Sequence, residues 1–317
     1  MSNHAPSTAN LPTAGIGFAV SCYLVWGLVP VYWKGIIDIS AAEALIPRIL
    51  WTLIILWIAA IVTRRTRETW ARGRREWGWT TVSALLLSGN WCLFVYAVGS
   101  DQVVASSLGY YINPLMSILL GLIVLGERLG RIQSVAIGIA ALGVGVLTFR
   151  VGELPWISLV LATSFALYGL IHKLHPRPPL AGLTREMLVL SPAALLGLGF
   201  LLWEPNSAFA AASIGEHAYL ALSGAVTAIP LLLFHAATRH LPLVAVGMFQ
   251  YIAPTLTLIL ATFAFHEPFT SAHAAGFGLV WIGLAIFSSD SILRARAASG
   301  ETNSATDDSA DTESSLA

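Results

Sequence analysis

Charge is what this sequence has least of. Asp, Glu, Lys and Arg make up 11% of its 317 residues, against roughly 25% in an ordinary soluble domain. So few charges cannot cover a water-facing surface on a chain this long, which excludes a soluble globule. The charges also cancel, 17 basic against 17 acidic, leaving no bulk field to draw in nucleic acid or an acidic partner. Cysteine is almost missing. Cys22 and Cys92 fall inside apolar runs, so no disulfide framework is indicated. Catalytic signatures are absent too: there is no G-x-S-x-G, no H-E-x-x-H and no P-loop lysine. His266-Glu267 is followed by Pro268 and by no second His, so it is no zinc motif. The sequence therefore indicates no enzyme, no metal and no cofactor, and any pumping must draw on gradients. Residues 1–14 carry no Lys or Arg, the charge that a cleavable signal peptide would need. The first apolar run is expected to stay as a helix.

What fills the space is apolar. Hydrophobic residues make up 56% of the chain and cluster into ten runs, about 15–34, 44–62, 80–99, 103–125, 133–149, 154–171, 186–203, 218–238, 242–265 and 273–292. A bilayer-spanning helix needs about 20 such residues, and most of the runs lack the alternation of barrel strands. The fold class predicted is an all-α polytopic membrane protein with ten transmembrane helices. Positive charge favours the cytoplasmic side. With the N-terminus inside, the cytoplasmic loops and tail hold Arg64, Arg65, Arg67, Arg72, Arg74, Arg75, Arg128, Arg131, Lys173, Arg177, Arg185, Arg239, Arg294 and Arg296. The other side keeps Lys34, Arg48 and Arg150. That asymmetry places both termini in the cytoplasm. Residues 1–14 and the acidic, Ser/Thr-rich tail, residues 294–317, are too poor in apolar residues to fold and are expected to be disordered.

The chain also repeats itself. At an offset of 140, Val104, Ala105, Tyr111, Ile112, Pro114, Leu120 and Glu127 recur as Val244, Ala245, Tyr251, Ile252, Pro254, Leu260 and Glu267. Upstream, Ser83, Leu93, Phe94 and Ala97 pair with Ser223, Leu233, Phe234 and Ala237. The reading is two five-helix repeats, residues 15–149 and 150–293. Five is odd, so the second repeat is inverted relative to the first, the plan of many secondary transporters that bind substrate at the repeat interface.

Prolines sit deep in several runs. Pro30, Pro114, Pro192, Pro230 and Pro254 each free the carbonyl four residues earlier, and in lipid a freed carbonyl must be re-satisfied by protein or a water-filled cavity. Helical phase puts Ser106, Tyr110, Asn113 and Ser117 on one face of the fourth run. Gln250 and Thr257 share a face of the ninth, and Ser83, Asn90 and Phe94 one of the third. Trp26 and Tyr168 come from the first and sixth. The expectation is a central aromatic and amide cavity with kinks at Pro30, Pro114, Pro230 and Pro254, walls from Trp26, Phe94, Tyr110, Tyr168 and Tyr251, and hydrogen bonds from Asn90, Asn113 and Gln250. Such a lining suits a small organic solute rather than a bare ion. Against it stands the bland alternative that polar residues in membrane helices merely serve packing. Lys34 and Arg48 are read as snorkelling toward a boundary. No carboxylate falls at the centre of a predicted run, which leaves a buried acidic ion carrier unsupported. The matched Glu127 and Glu267 are read as helix caps.

The stretches WGLVPVYWK (26–34), RILW (48–51), GNWCLFVYAV (89–98), SLGYYINPL (107–115), LGERL (125–129), SFALYGLIHK (164–173) and FQYIAPTL (249–256) resemble RarD-type proteins. These are EamA transporters of the drug/metabolite transporter superfamily, and the resemblance runs over about residues 14–293. It implies ten helices in two EamA repeats, a bacterial inner-membrane location and export of small organic molecules. It also adds Trp91 and Tyr111 to the candidate site, beside Trp26, Asn90, Asn113, Pro114, Tyr251 and Pro254. His266 departs from the repeat, since Gly126 occupies the equivalent place. The partners expected are the lipid bilayer and a small-molecule substrate, with proton coupling left open. A membrane sensor or scaffold that transports nothing is the alternative.

Overall fold

The computed structural model describes residues 11–35, 39–70, 73–100, 102–151, 156–264, 266 and 271–314. Ordered hydrogen bonding starts the helices where the sequence supplies caps. Ser40 and Glu43 form a capping box at the head of α2 (Ala41–Val62), with the Glu43 amide donating to Ser40 Oγ at 3.2 Å. Ser213 and Glu216 repeat the device at α9 (Ile214–His240). Such reciprocal bonds satisfy amides that a helix start leaves without partners. The other long helices are α1 (Thr13–Trp33), α3 (Arg74–Gly99), α4 (Val103–Ile123), α5 (Arg131–Val151), α6 (Trp156–Leu174) and α7 (Pro179–Trp203). A one-turn α8 (Ala208–Ala211) links α7 to α9. The ninth run forms α10 (Leu243–Gln250), α11 (Ile252–Ile259) and a π-helical turn, Leu260–Ala264, and α12 (Ser271–Ser314) completes the chain.

Among the described residues, nine segments are long and apolar enough to cross a membrane, and Ser107–Ile123 of α4 is a shorter apolar tenth. The protein is a multi-pass, all-helical membrane protein. Its outer faces carry large apolar side chains in the open, such as Phe149, Leu196 and Phe263, as a lipid-facing surface should.

The packing follows the inverted repeat. Helix α1 lies against α9, and its counterpart α6 against α3. Helix α4 packs on α6, and α10–α11 on α1. Helix α2 meets α9 while α7 meets α3, and α2–α7, α4–α10 and α5–α12 pair across the centre. Each contact between halves thus has an inverted partner. Glycines allow the closest crossings: a Cβ at Gly143 would come 2.5 Å from the Gly276 carbonyl, and one at Gly247 would come 2.8 Å from the Pro114 carbonyl.

Three features stand beside the sequence reading. Helix α4 runs unbroken past Pro114, whereas the ninth run breaks at Tyr251, whose amide turns back to the Met248 carbonyl at 3.3 Å. Pro254 frees the carbonyl of Gln250 next to this break. Helix α7 starts at Pro179, seven residues before its predicted beginning, because Arg185 and Glu186 find partners that let a polar turn continue an apolar helix. The backbone of α12 stays helical to Ser314, through a tail whose composition predicts no folded structure. An Arg294 Nε to Asp290 Oδ2 bond of 2.7 Å, one turn apart, lies at the end of its apolar part.

Candidate functional site

Consecutive spans alternate in direction, so one end of the bundle gathers both termini and the α4–α5 and α6–α7 links. The opposite end gathers the α1–α2 and α3–α4 links. At that opposite end Arg48 stands two turns into α2. Its guanidinium carbon lies 4.2 Å from the Trp91 ring centre and 5.8 Å from that of Trp33. The side chain does not run out to a boundary as expected. It stacks inward on indole, an arrangement that suits a guanidinium because its faces are weakly hydrated. Arg48 Nε has no hydrogen-bond partner. Tyr110 meets Phe94 edge-on at 6.0 Å. About half of the Tyr110 surface, 53%, is open. Tyr32 and Tyr219 close this end with parallel rings 4.8 Å apart, each hydroxyl bonded to the other's carbonyl.

Deeper in, the equivalent helices α4 and α10 face each other. Asn113, Ser117 and Gln250 are buried between them, and Ser117 Oγ meets Gln250 Oε1 at 3.5 Å. Asn113 Oδ1 and the Tyr251 hydroxyl find no partner, and neither does the Tyr23 hydroxyl on α1. An unpartnered buried polar atom costs about 1–3 kcal/mol, so these atoms mark where a polar ligand group or water gains most.

The other predicted residues make contacts away from this interface. Trp26 sits in an aromatic group with Tyr23, Phe165 and Phe234 at 5.5–5.8 Å. Tyr168 stacks on Phe234 in the same group. Asn90 Nδ2 donates to the Leu161 carbonyl at 2.8 Å and to Ser164 Oγ at 2.9 Å, tying α3 to α6. Tyr111 turns away from Tyr110 and meets Phe277 of α12 edge-on. Of the prolines, Pro230 accepts the Cys22 thiol on its own carbonyl at 3.2 Å, while Pro30 lies in the last turn of α1. Two apolar surface clefts, of about 640 Å³ along α5 and about 300 Å³ between α3 and α6, contain none of the predicted site residues. The side chain of Ser106 lies outside the described set.

A second polar centre escaped the sequence reading. Glu186, two turns into α7, is fully buried; it is the first residue of the predicted run and does not lie at the centre of the span. Its Oε1 accepts from Ser83 Oγ at 2.7 Å and its Oε2 from the Tyr168 hydroxyl at 2.9 Å. His172 Nε2 lies 2.9 Å from Oε1 but off the line of a hydrogen bond, and His235 Nε2 is 2.5 Å from the Tyr168 hydroxyl. The two imidazoles stack at 3.7 Å. Among the described residues, His172, Glu186 and His235 form the one group able to offer a metal three ligands, all within 4.8 Å of one another. The carboxylate already accepts two hydroxyl donors, which fits a hydrogen-bonded ionic cluster equally well. Nearby, Arg185 pairs with Glu76 and donates to the Thr69 carbonyl at 2.8 Å. The signal available in sequence was three ionisable residues near the ends of three runs, too far apart to connect.

At the termini end Glu127 accepts from the Leu243 amide at 2.6 Å and the Val244 amide at 2.8 Å. It caps α10 from the end of the equivalent helix, where a carboxylate also complements the helix dipole. Glu267 lies outside the described residues. Gly126 and His266, equivalent in the repeats, both take the left-handed conformation, with φ of 63° and 56°. The left-handed φ is kept despite the change of residue.

The comparisons with known proteins agree. The EamA-like transporter family matches twice, over residues 13–149 and 154–289. Protein RarD of Streptomyces exfoliatus is 42% identical over 90% of this chain and 92% of its own. The uncharacterized transporter YojE of Bacillus subtilis is 40% identical over 86% and 93%, and Protein RarD of Escherichia coli K12 36% over 89% and 96%. One solved crystal structure superposes with a TM-score of 0.70 at 15% identity, covering 87% of this chain and 97% of its own. The chain belongs to the EamA-like transporter family, among its RarD-type proteins.

Proposed function

We propose that this protein is a secondary transporter that exports a small organic metabolite or drug across the bacterial inner membrane, with both termini in the cytoplasm. The carrying observation is the meeting of α4 and α10, equivalent helices of the two repeats, over buried Asn113, Ser117 and Gln250 with polar atoms left unpartnered. An inverted pair of repeats has two arrangements of similar energy, opened alternately to the two sides. A solute held between α4 and α10 would be exposed to each side in turn. Motion against a gradient would draw on protons, and Glu186 with His172 and His235 is a buried ionisable group able to carry one.

The test is metabolite profiling inside and outside cells that overproduce or lack the protein, followed by uptake of any shifted compound into reconstituted vesicles. The expected result is a compound that leaves faster with the protein present, loses at least about tenfold in rate in Asn113→Leu and Gln250→Leu, and accumulates in vesicles only under a pH gradient. A panel in which no compound shifts, or variants that transport normally, would sink this reading.

A further inference from the structure

We infer that Arg48 is an anion-recognition group, and that the solute taken by this protein is a small organic carboxylate with an aromatic or apolar body. Calling that ligand a substrate rests on the transport reading above; the binding assignment does not. Arg48 lies seven residues into α2, about 10 Å along the helix, in the run AAEALIPRILWTLIILW. A cation at that depth is costly in an apolar helix, and such residues pair with another charge or mark a ligand path. Among the described residues Arg48 has no such pair. The carboxylate nearest in sequence, Glu43, is taken by Ser40, Ser207 and the Phe209 amide. The ion pairs among the described residues join His172 and His235 to Glu186, Arg185 to Glu76, and Arg294 to Asp290. One face of the guanidinium rests on Trp91, and its buried Nε has no hydrogen-bond partner, a donor that a ligand oxygen would satisfy.

The edge of a guanidinium presents parallel donors spaced for the two oxygens of a carboxylate. A phosphate monoester carries about two negative charges, which a single guanidinium would leave half neutralised. Trp33, Trp91, Tyr110 and Phe94 offer apolar and aromatic surface to the rest of such an acid. Tyr110 opens half its surface here and shares a face of α4 with Asn113 three residues on. A carboxylate on Arg48 therefore places the body of the solute toward the unpartnered amide oxygen at the repeat interface. There an ammonium or hydroxyl substituent would find an acceptor.

The test uses the purified full-length protein in detergent micelles and matched pairs of probes, 3-phenylpropionate with 3-phenylpropionamide and octanoate with octanamide. A ligand that binds the folded state raises the melting temperature, and equilibrium dialysis gives the affinity. The acid of at least one pair should bind and its amide should not. R48K keeps the charge but not the fork and should bind about tenfold more weakly. R48Q should lose the preference for the acid. Equal binding of acid and amide in every pair, or wild-type affinity in R48K, overturns the assignment even if R48Q fails to fold. Transport is read separately: acids that bind but never enter vesicles would sink the transport reading and leave the anion site standing. Vesicle transport of a neutral solute that R48Q does not disturb would do the reverse.

Discussion

At the scale of single residues, the repeat leaves a conformational mark that composition hides. His266 adopts φ of 56° where its equivalent is Gly126 at 63°. The left-handed conformation strains an L side chain by about 1–2 kcal/mol, while glycine accepts it at a smaller entropic cost. His266→Gly should therefore raise stability by about 0.5–1 kcal/mol, read as a higher melting temperature in micelles. A lower one would mean that the imidazole makes contacts worth more than the strain. The sequence made the aromatic and amide candidates legible but not their duties. Asn90 stands at the expected depth, yet it spends its amide on the Leu161 carbonyl and Ser164. Helical phase reports the face a residue lies on, not what the neighbouring helix offers it. Arg48 and Glu186 were hidden for the opposite reason. Near the end of an apolar run a charge reads as snorkelling to the boundary, and only the packed structure shows indole above one and two histidines around the other.

Among the elements, ten membrane helices and the inverted duplication were readable because each rests on length, hydropathy and register. The place of the break was not: a kink was expected at Pro254, and the turn falls three residues earlier, at Tyr251. Pro114 and Pro254 are equivalent and each frees one carbonyl, but only the ninth run stops beside its proline, so the surroundings decide whether a helix absorbs the defect. Small residues decide how near two helices come. A Cβ at Gly143 would stand 2.5 Å from the Gly276 backbone carbonyl, which cannot move aside as a side chain can, whereas Gly138 on the same helix faces nothing within 4 Å. Gly143→Leu should push α5 off α12 and cost about 1–3 kcal/mol, while Gly138→Leu should change little. Similar melting temperatures for the two variants would contradict the close α5–α12 crossing.

For the whole molecule, the extensive pairings of the spans join opposite halves: α1 and α2 to α9, α2 to α7, α4 to α6 and α10, and α5 to α12, while neighbours within a half touch far less. Neither half has a core of its own. A chain divided between Val151 and Trp156 should therefore give fragments that are degraded or aggregate when made singly. Co-expressed, they should assemble into a stable pair, as co-purification and protease resistance would show. A first half that is stable and monodisperse alone would contradict this.

That same pairing sets a demand during synthesis. A ribosome adds about 5–20 residues per second, so the first five helices wait on the order of ten seconds or more for their partners to emerge. In that interval Asn113, Arg48 and the close-packing glycines face lipid or one another. The nascent half must be shielded by the insertion machinery or rely on helices loose enough to part again, and its survival depends on the pace of translation.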